Sequence, residues 1–339
     1  MIATTTRLTT ILEDKAQLEA QLVEGLKLIP NEKLREAAAH IISAGGKRIR
    51  PALMSMAYKA AGGADVSAVM PIAAAMEFVH NWTLVHDDII DKSDTRRGQP
   101  TVHKKWDETV AILAGDMLNN LAYRMVANSA VSKSLIAKVT DELANASMEV
   151  MDGEQMDVDF ESRESISEQE YFTMIGKKTG ALFSASARMG AMIATSDEDI
   201  ISSLEVYGEK VGLAFQIQDD LLDILGDLAT FGKEIGKDIK EGKKTLMVIH
   251  CLSKPETKYA QRLAKILSST PATDVQVLEA IEILDESGSL DYGQLVLNKL
   301  VKEAQQALEV LPASHYKTAL IELADYIANR NRSIRLKKP

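Results

Sequence analysis

The sequence predicts an all-α protein, and three observations carry that expectation. Apolar residues recur at three- and four-residue spacing over long stretches, few segments alternate with period two, and the breaks are short clusters of glycine, proline or charge. Aromatic residues make up only 5% of the 339 positions while methionine numbers 14, which suits closely packed helices or an adaptable apolar cavity. An ordinary core explains that composition by itself.

In chain order, the helical spacing runs through Leu8 to Leu28, Ile72 to Ile90, Val110 to Val131, Leu135 to Met151, Ile200 to Leu225 and Tyr316 to Ala328. Breaks are expected at Gly45-Gly46, Ala61-Gly62-Gly63, Gly98-Gln99-Pro100, the acidic stretch from Asp157 to Glu170, Gly226 to Lys244, Ser253-Lys254-Pro255 and Thr270-Pro271. None has the composition of an interdomain linker, so one large helical domain spanning residues 1–339 is expected.

The formal net charge of -10 argues against a nucleic-acid partner, which calls for a basic face. The single cysteine, Cys251, excludes an intrachain disulfide and suits a reducing interior. Met1 to Arg7 leads into polar sequence rather than an apolar core, so no signal peptide is expected. The uncharged run from Val66 to Met76 contains Pro71, is closed by Glu77 and is too short for a membrane span. The expected location is the cytoplasm.

One acidic pattern occurs twice: Asp87-Asp88-Ile89-Ile90-Asp91 and Asp219-Asp220-Leu221-Leu222-Asp223. On a helix the first and third aspartates of each copy share a face, one turn apart. Taken singly, an acidic run is usually a solvated helix face. These two sit among Leu84, Val85, Phe215 and Ile217, where carboxylates are costly unless a cation compensates them. Magnesium suits such ledges, because it takes one or two carboxylates and completes its shell with water and phosphate oxygens.

Cations lie beside both copies. Gly45-Gly46-Lys47-Arg48-Ile49-Arg50-Pro51 sets three of them after a glycine pair, where backbone can approach an anion. Arg96-Arg97-Gly98 follows the first copy, and Lys177-Lys178-Thr179-Gly180 occupies another break. Gly232-Lys233, Gly236-Lys237-Asp238 and Gly242-Lys243-Lys244 follow the second. Each alone reads as a solvated loop; together with the carboxylates they describe a polyanion site. His80 lies two turns before Asp87, placed to donate to a second phosphate. His86 points about 100° away from Asp87 and is expected to be structural.

In this order the motifs resemble the trans-isoprenyl diphosphate synthases, the polyprenyl synthetase family, from about Gly45 to Lys244, including Phe215-Gln216-x-Gln218 before the second acidic copy. The resemblance implies helices around a deep central cavity, usually in a homodimer. It implies three Mg2+ ions held by Asp87, Asp91 and Asp219, supported by Asp88, Asp220 and Asp223. Arg96, Lys178, Thr179, Gln216, Lys233 and Lys243 would contact an allylic diphosphate, and Lys47, Arg50, His80 and Arg97 would hold isopentenyl diphosphate. The implied catalytic set is Asp87, Asp88, Asp91, Lys178, Asp219, Asp220 and Lys233. The implied reaction is ionisation of the allylic diphosphate followed by head-to-tail attack of isopentenyl diphosphate.

In this family, bulk upstream of the first acidic motif limits product length. Trp82, with Thr83 beside it, resembles the archaeal short-chain enzymes that make geranylgeranyl diphosphate and in some cases farnesyl diphosphate. A straight helix puts Trp82 about 140° from Asp87, so Val79, Met76 or Thr83 could share the floor, and a geranylfarnesyl or longer product stays open. Trp82 could also be an ordinary core aromatic. Other readings are an HD-type metal phosphohydrolase built on His40 or His80 with His86 and Asp87, a terpene cyclase, and the regulatory subunit of a heteromeric synthase. The second acidic copy argues against all three.

Overall fold

The computed structural model describes residues 13–226, 235–268 and 271–329. Helix dominates, as expected. In order these are α1 (Lys15–Leu26), α2 (Glu32–Ser43), α3 (Ile49–Ala60), α4 (Met70–Ile90), α5 (Val102–Lys105), α6 (Glu108–Ala127), α7 (Lys133–Glu161) and α8 (Glu168–Ile175). They continue as α9 (Ala181–Ala194), α10 (Glu198–Leu225), α11 (Lys237–Lys240), α12 (Leu246–Leu252), α13 (Lys258–Leu267), α14 (Asp274–Glu286), α15 (Ser289–Ala307) and α16 (His315–Asn329). Contacts gather them into two compact units: Met1–Met148 with Leu182–Gly208 and Ala307–Ile321, and Glu149–Ala181 with Glu209–Gln306 and Glu322–Pro339.

In the first unit α4 is apolar on nearly every side, burying Ile72, Met76, Phe78, Val79, Trp82 and Val85 among others, which marks a central helix. Pro71 sits in its first turn, where a missing N–H costs nothing. Its main neighbour is α6, opened by Asp107, whose side chain accepts from Val110 N–H. Glycines permit the close approaches. A Cβ on Gly25 of α1 would lie 2.8 Å from the Phe78 ring, and one on Gly115 of α6 would lie 2.4 Å from His86.

Between α4 and α5 the chain forms a two-stranded hairpin, with Thr95 opposite Pro100 and Arg96 opposite Gln99. Its turn residues, Arg97 and Gly98, have φ of 54° and 75°, the left-handed pair that a tight hairpin turn requires. Two strand residues on each side are too few to leave an alternating signature in the sequence.

In the second unit α8 begins with a reciprocal capping box between Ser167 and Glu170, and α14 with one between Thr273 and Gln276. α8 continues into a π-helical turn over Gly176–Gly180. The acidic stretch expected as a break is half helical, since α7 runs on to Glu161. The expected break from Gly226 to Lys244 contains the short α11. A Cβ on Gly153 of α7 would lie 2.3 Å from the Lys178 backbone nitrogen, so that glycine is what lets α7 pass the π turn. No helix among the described residues is long and apolar enough to cross a membrane.

Candidate active site

The first unit carries a cationic cluster on α4, the hairpin and the glycine loop before α3. Gly45 and Gly46 have φ of 83° and 151°, and Arg48 follows at 50°. That left-handed step, uncommon for arginine, turns Arg48 inward. Its guanidinium donates to Glu77 Oε1 at 2.7 Å, Glu19 Oε1 at 3.0 Å and the Ile42 carbonyl at 2.9 Å, and only 7% of the residue is exposed. Of the three cations in the loop motif, Arg48 is thus an internal strut.

Arg50 lies within 3.2 Å of His80, Nη1 to Nε2, and its guanidinium sits 4.6 Å above the Phe183 ring. Because Arg50 can only donate, His80 Nε2 accepts and its proton resides on Nδ1. Burial, then Arg50, Arg97, Arg96 and Arg48, hold the imidazole well below its ordinary range, so it is neutral near pH 7. Arg97 donates to the Gly45 carbonyl. A Cβ on Gly46 would meet the Arg97 guanidinium at 3.1 Å, so both glycines serve this contact. Arg48, Lys92 and Arg97 are the non-glycine residues with positive φ among those described, and all border this cluster or the acidic motif beside it.

The first acidic motif ends α4. Asp91 caps the helix with its N–H on the Asp87 carbonyl at 2.8 Å, which fixes Asp87 and Asp91 one turn apart as expected. Asp87 is half-buried and Asp91 exposed. Asp88, 1% exposed, accepts from Arg96 Nε at 2.8 Å through Oδ1, while its Oδ2 is buried without a hydrogen bond. Burial pushes its carboxyl up, against the pull of Arg96. Trp82 packs on the flank of α4, its Nε1 donating to His86 Nδ1 at 3.1 Å. Thr83 returns its hydroxyl to the His80 carbonyl.

His86 Nε2 faces the Ile112 carbonyl at 3.2 Å. Both ring nitrogens are therefore engaged, and among the described residues no three His, Cys, Asp or Glu side chains converge as a metal cage.

The second unit carries its own cluster, around a cavity of about 180 Å³ lined by Lys178, Thr179, Gln216, Asp220, Asp238 and Lys243 among others. A hydrogen-bonded chain crosses it. Thr179 Oγ1 donates to Gln216 Oε1 at 2.7 Å, Gln216 Nε2 to Asp220 Oδ1 at 2.9 Å, and the Tyr171 hydroxyl to Asp220 Oδ2 at 2.6 Å. Burial, with the nearby Asp238 carboxylate adding to it, pushes Asp220 up to about 8. Lys178, in the π turn, reaches Asp157 at 2.6 Å and Glu154 at 2.7 Å. Burial alone would pull its ammonium down; the two carboxylates outweigh that and raise it.

Asp219 and Asp223 are half-buried near the end of α10. Asp223 Oδ2 accepts from the Asp238 N–H at 3.1 Å and its carbonyl from Gly236 N–H at 2.8 Å, so the acidic motif holds the start of α11. Lys243 lies 3.8 Å from Glu241. Lys47 and Asp87 belong to the first unit. Lys233 falls outside the described residues, as do the C-terminal Arg330, Arg332 and Arg335.

Magnesium, which the resemblance implies, fits this donor set. The candidate ligands are hard carboxylate oxygens, few per unit, and an unsatisfied Asp88 oxygen lies beside them. Sequence reasoning missed Tyr171, Glu154 and Asp157, and passed over Asp238 within its loop. Glu154 and Asp157, three positions apart on α7 and both meeting one lysine, left a helical spacing signal; Tyr171 left none.

Residues 31–284 match the family model described as polyprenyl synthetase. A short chain isoprenyl diphosphate synthase of Methanothermobacter thermautotrophicus is 40% identical over 92% of this chain and 95% of its own. A geranylgeranyl diphosphate synthase of Methanosarcina mazei is 37% identical over 93% and 95%. The crystal structure of geranylgeranyl pyrophosphate synthetase from Pyrococcus horikoshii superposes with a TM-score of 0.90 at 39% identity, covering 96% of this chain and 99% of that one.

Proposed function

We infer the reaction from one premise: this chain belongs to the polyprenyl synthetase family. It is a prenyltransferase that joins isopentenyl diphosphate head-to-tail to an allylic diphosphate, with geranylgeranyl diphosphate as its main product. The observation that carries the reading is the cluster in which Arg50, Arg97 and neutral His80 meet beside Gly45-Gly46. Convergent guanidinium forks next to open backbone are what a diphosphate requires.

In this reading Arg50, Arg97, Lys47 and His80 hold isopentenyl diphosphate, His80 offering its Nδ1–H. Arg96, Lys178, Thr179, Gln216, Lys243 and Lys233 hold the allylic diphosphate. Asp87, Asp91 and Asp219 would bind up to three Mg2+ ions. Magnesium, when bound, supplies positive charge to the leaving diphosphate. Lys178 and Arg96 each bring a cation that carboxylates of its own unit already orient, Asp157 and Glu154 for Lys178 and Asp88 for Arg96, so each needs little rearrangement to meet an anion. The allylic cation left behind is attacked by the isopentenyl double bond, and a proton passes to the departing diphosphate. Apolar side chains of α4, among them Met76, Val79 and Trp82, keep water from quenching the cation, and Trp82 with Thr83 limits chain growth.

The relatives match along nearly their whole length, which supports one functional domain over residues 1–339. A homodimer in the cytoplasm is the proposed state, with Ile112 and Leu113, each 46% exposed on α6, supplying apolar surface. Incubation with isopentenyl diphosphate, each allylic primer and Mg2+, followed by mass analysis, tests the reading. Condensed prenyl diphosphates are expected; phosphate release from a simple phosphoester with no condensation would sink it.

A further inference from the structure

Trp82 and His86 form a fixed pair whose geometry goes beyond a bulky floor. The indole Nε1–H donates to His86 Nδ1 at 3.1 Å, and the rings meet edge to face at 5.9 Å and 74°. Accepting at Nδ1 leaves the imidazole proton on Nε2, which points to the Ile112 carbonyl on α6 at 3.2 Å. One backbone carbonyl thus fixes the histidine, and the histidine fixes the indole. The partner helix is shaped for this arrangement: a Cβ at Gly115 would fall 2.4 Å from His86 Nε2 and 3.3 Å from Trp82 Cδ1.

Trp82 is only 6% exposed, and a buried indole N–H without an acceptor is costly. An indole deprived of His86 would turn toward another acceptor, and any turn carries its large ring out of the space it fills. Thr83, the neighbouring candidate for the floor, has its hydroxyl proton tied back to the His80 carbonyl at 2.8 Å.

We propose that His86 is a positioning residue for product length, holding Trp82 in the one rotamer that closes the floor, with Gly115 providing the room. This rests on the reading of Trp82 as the floor of the chain-growth cavity. Both His86 ring nitrogens are spent on protein partners, Trp82 and the Ile112 carbonyl.

The test is the ratio of geranylfarnesyl to geranylgeranyl diphosphate formed from farnesyl diphosphate and isopentenyl diphosphate. His86→Leu removes the acceptor, and His86→Gln moves the polar end to the Nε2 position. Both should raise the ratio about fivefold, the factor that one neutral hydrogen bond carries. His86→Asn, which keeps an oxygen where Nδ1 stands, should restore a near-native ratio. Gly115→Ala, acting from the other helix, should behave like His86→Leu, because its methyl group displaces the imidazole.

A readout independent of turnover is the Trp82 indole N–H resonance, assigned against Trp106 by Trp82→Phe. It should shift in His86→Leu and Gly115→Ala and stay in place in His86→Asn. Native ratios in His86→Leu and His86→Gln, with longer products from Trp82→Ala, overturn the proposal and leave the floor standing. An unchanged ratio in Trp82→Ala removes the floor and the proposal together.

Discussion

Tyr171 and Asp220, 49 positions apart, meet through a buried hydrogen bond of 2.6 Å from the phenol to Oδ2. With Gln216 on Oδ1, both carboxylate oxygens are held, whereas Asp88, its counterpart in the first acidic motif, is held through one. Tyr171→Phe removes a single donor and keeps the ring. A buried oxygen then loses its partner, so unfolding free energy should fall by about 1–3 kcal/mol. Turnover should fall as well, because Gln216 and Thr179 belong to the same chain of hydrogen bonds. Chemical denaturation and steady-state kinetics on one preparation check both; a variant as stable and as active as the native protein would show the bond to be idle.

Asp87→Ala and Asp219→Ala should each reduce turnover by about a thousandfold or more while the helical circular dichroism stays native. Both side chains are half-buried, and what they contribute is charge for a cation rather than packing. The scale is that of removing one preorganised electrostatic group from a reacting centre. Near-native rates in either variant would refute the magnesium-ledge reading.

Arg48→Met should be among the most damaging substitutions near the site, because Arg48 is buried and paired internally. It leaves Glu77, 2% exposed, as a buried carboxylate deprived of its guanidinium. Removing one partner of such a pair costs about 3–5 kcal/mol. Arg48→Lys should recover little, since an ammonium cannot reach Glu77, Glu19 and the Ile42 carbonyl together. Thermal unfolding with each variant reads the difference, and a melting temperature equal to the native one would remove the strut.

His80 predicts a pH dependence with a definite sign. Its folded-state pKa is held well below the ordinary 6.5 by burial and four arginines, so the unfolded chain binds the proton first as pH falls. The histidine contributes no pH-dependent loss above pH 6.5. Below that, stability declines by up to about 1.4 kcal/mol per pH unit until the folded-state pKa is reached. His80→Gln should flatten that part of the stability profile. A profile of unchanged slope would mean that the imidazole titrates normally.

Much of the site was legible because it is written locally. The repeated aspartate pattern fixes its first and third carboxylates one turn apart on any helix, and the cap at Asp91 bears this out. The glycines before Lys47 and within the Arg97 turn are expected as breaks, and they carry positive φ there. Three adjacent loop cations, by contrast, carried no sign of which would turn inward. Arg48 does so because Glu77 on α4 and Glu19 on α1 lie beneath it, and both are 29 positions away.

By itself, then, the sequence determined the helical class, the two acidic ledges and the company of cations around each, since all of these follow from spacing within a few turns of chain. Packing decided the rest. It placed Tyr171 against Asp220, drew Glu154 and Asp157 to Lys178 in a π turn, and tied Trp82 to α6 through His86. The physical reason is that side-chain partners far apart in sequence are chosen by which faces the buried apolar area brings together, and no local periodicity records that choice.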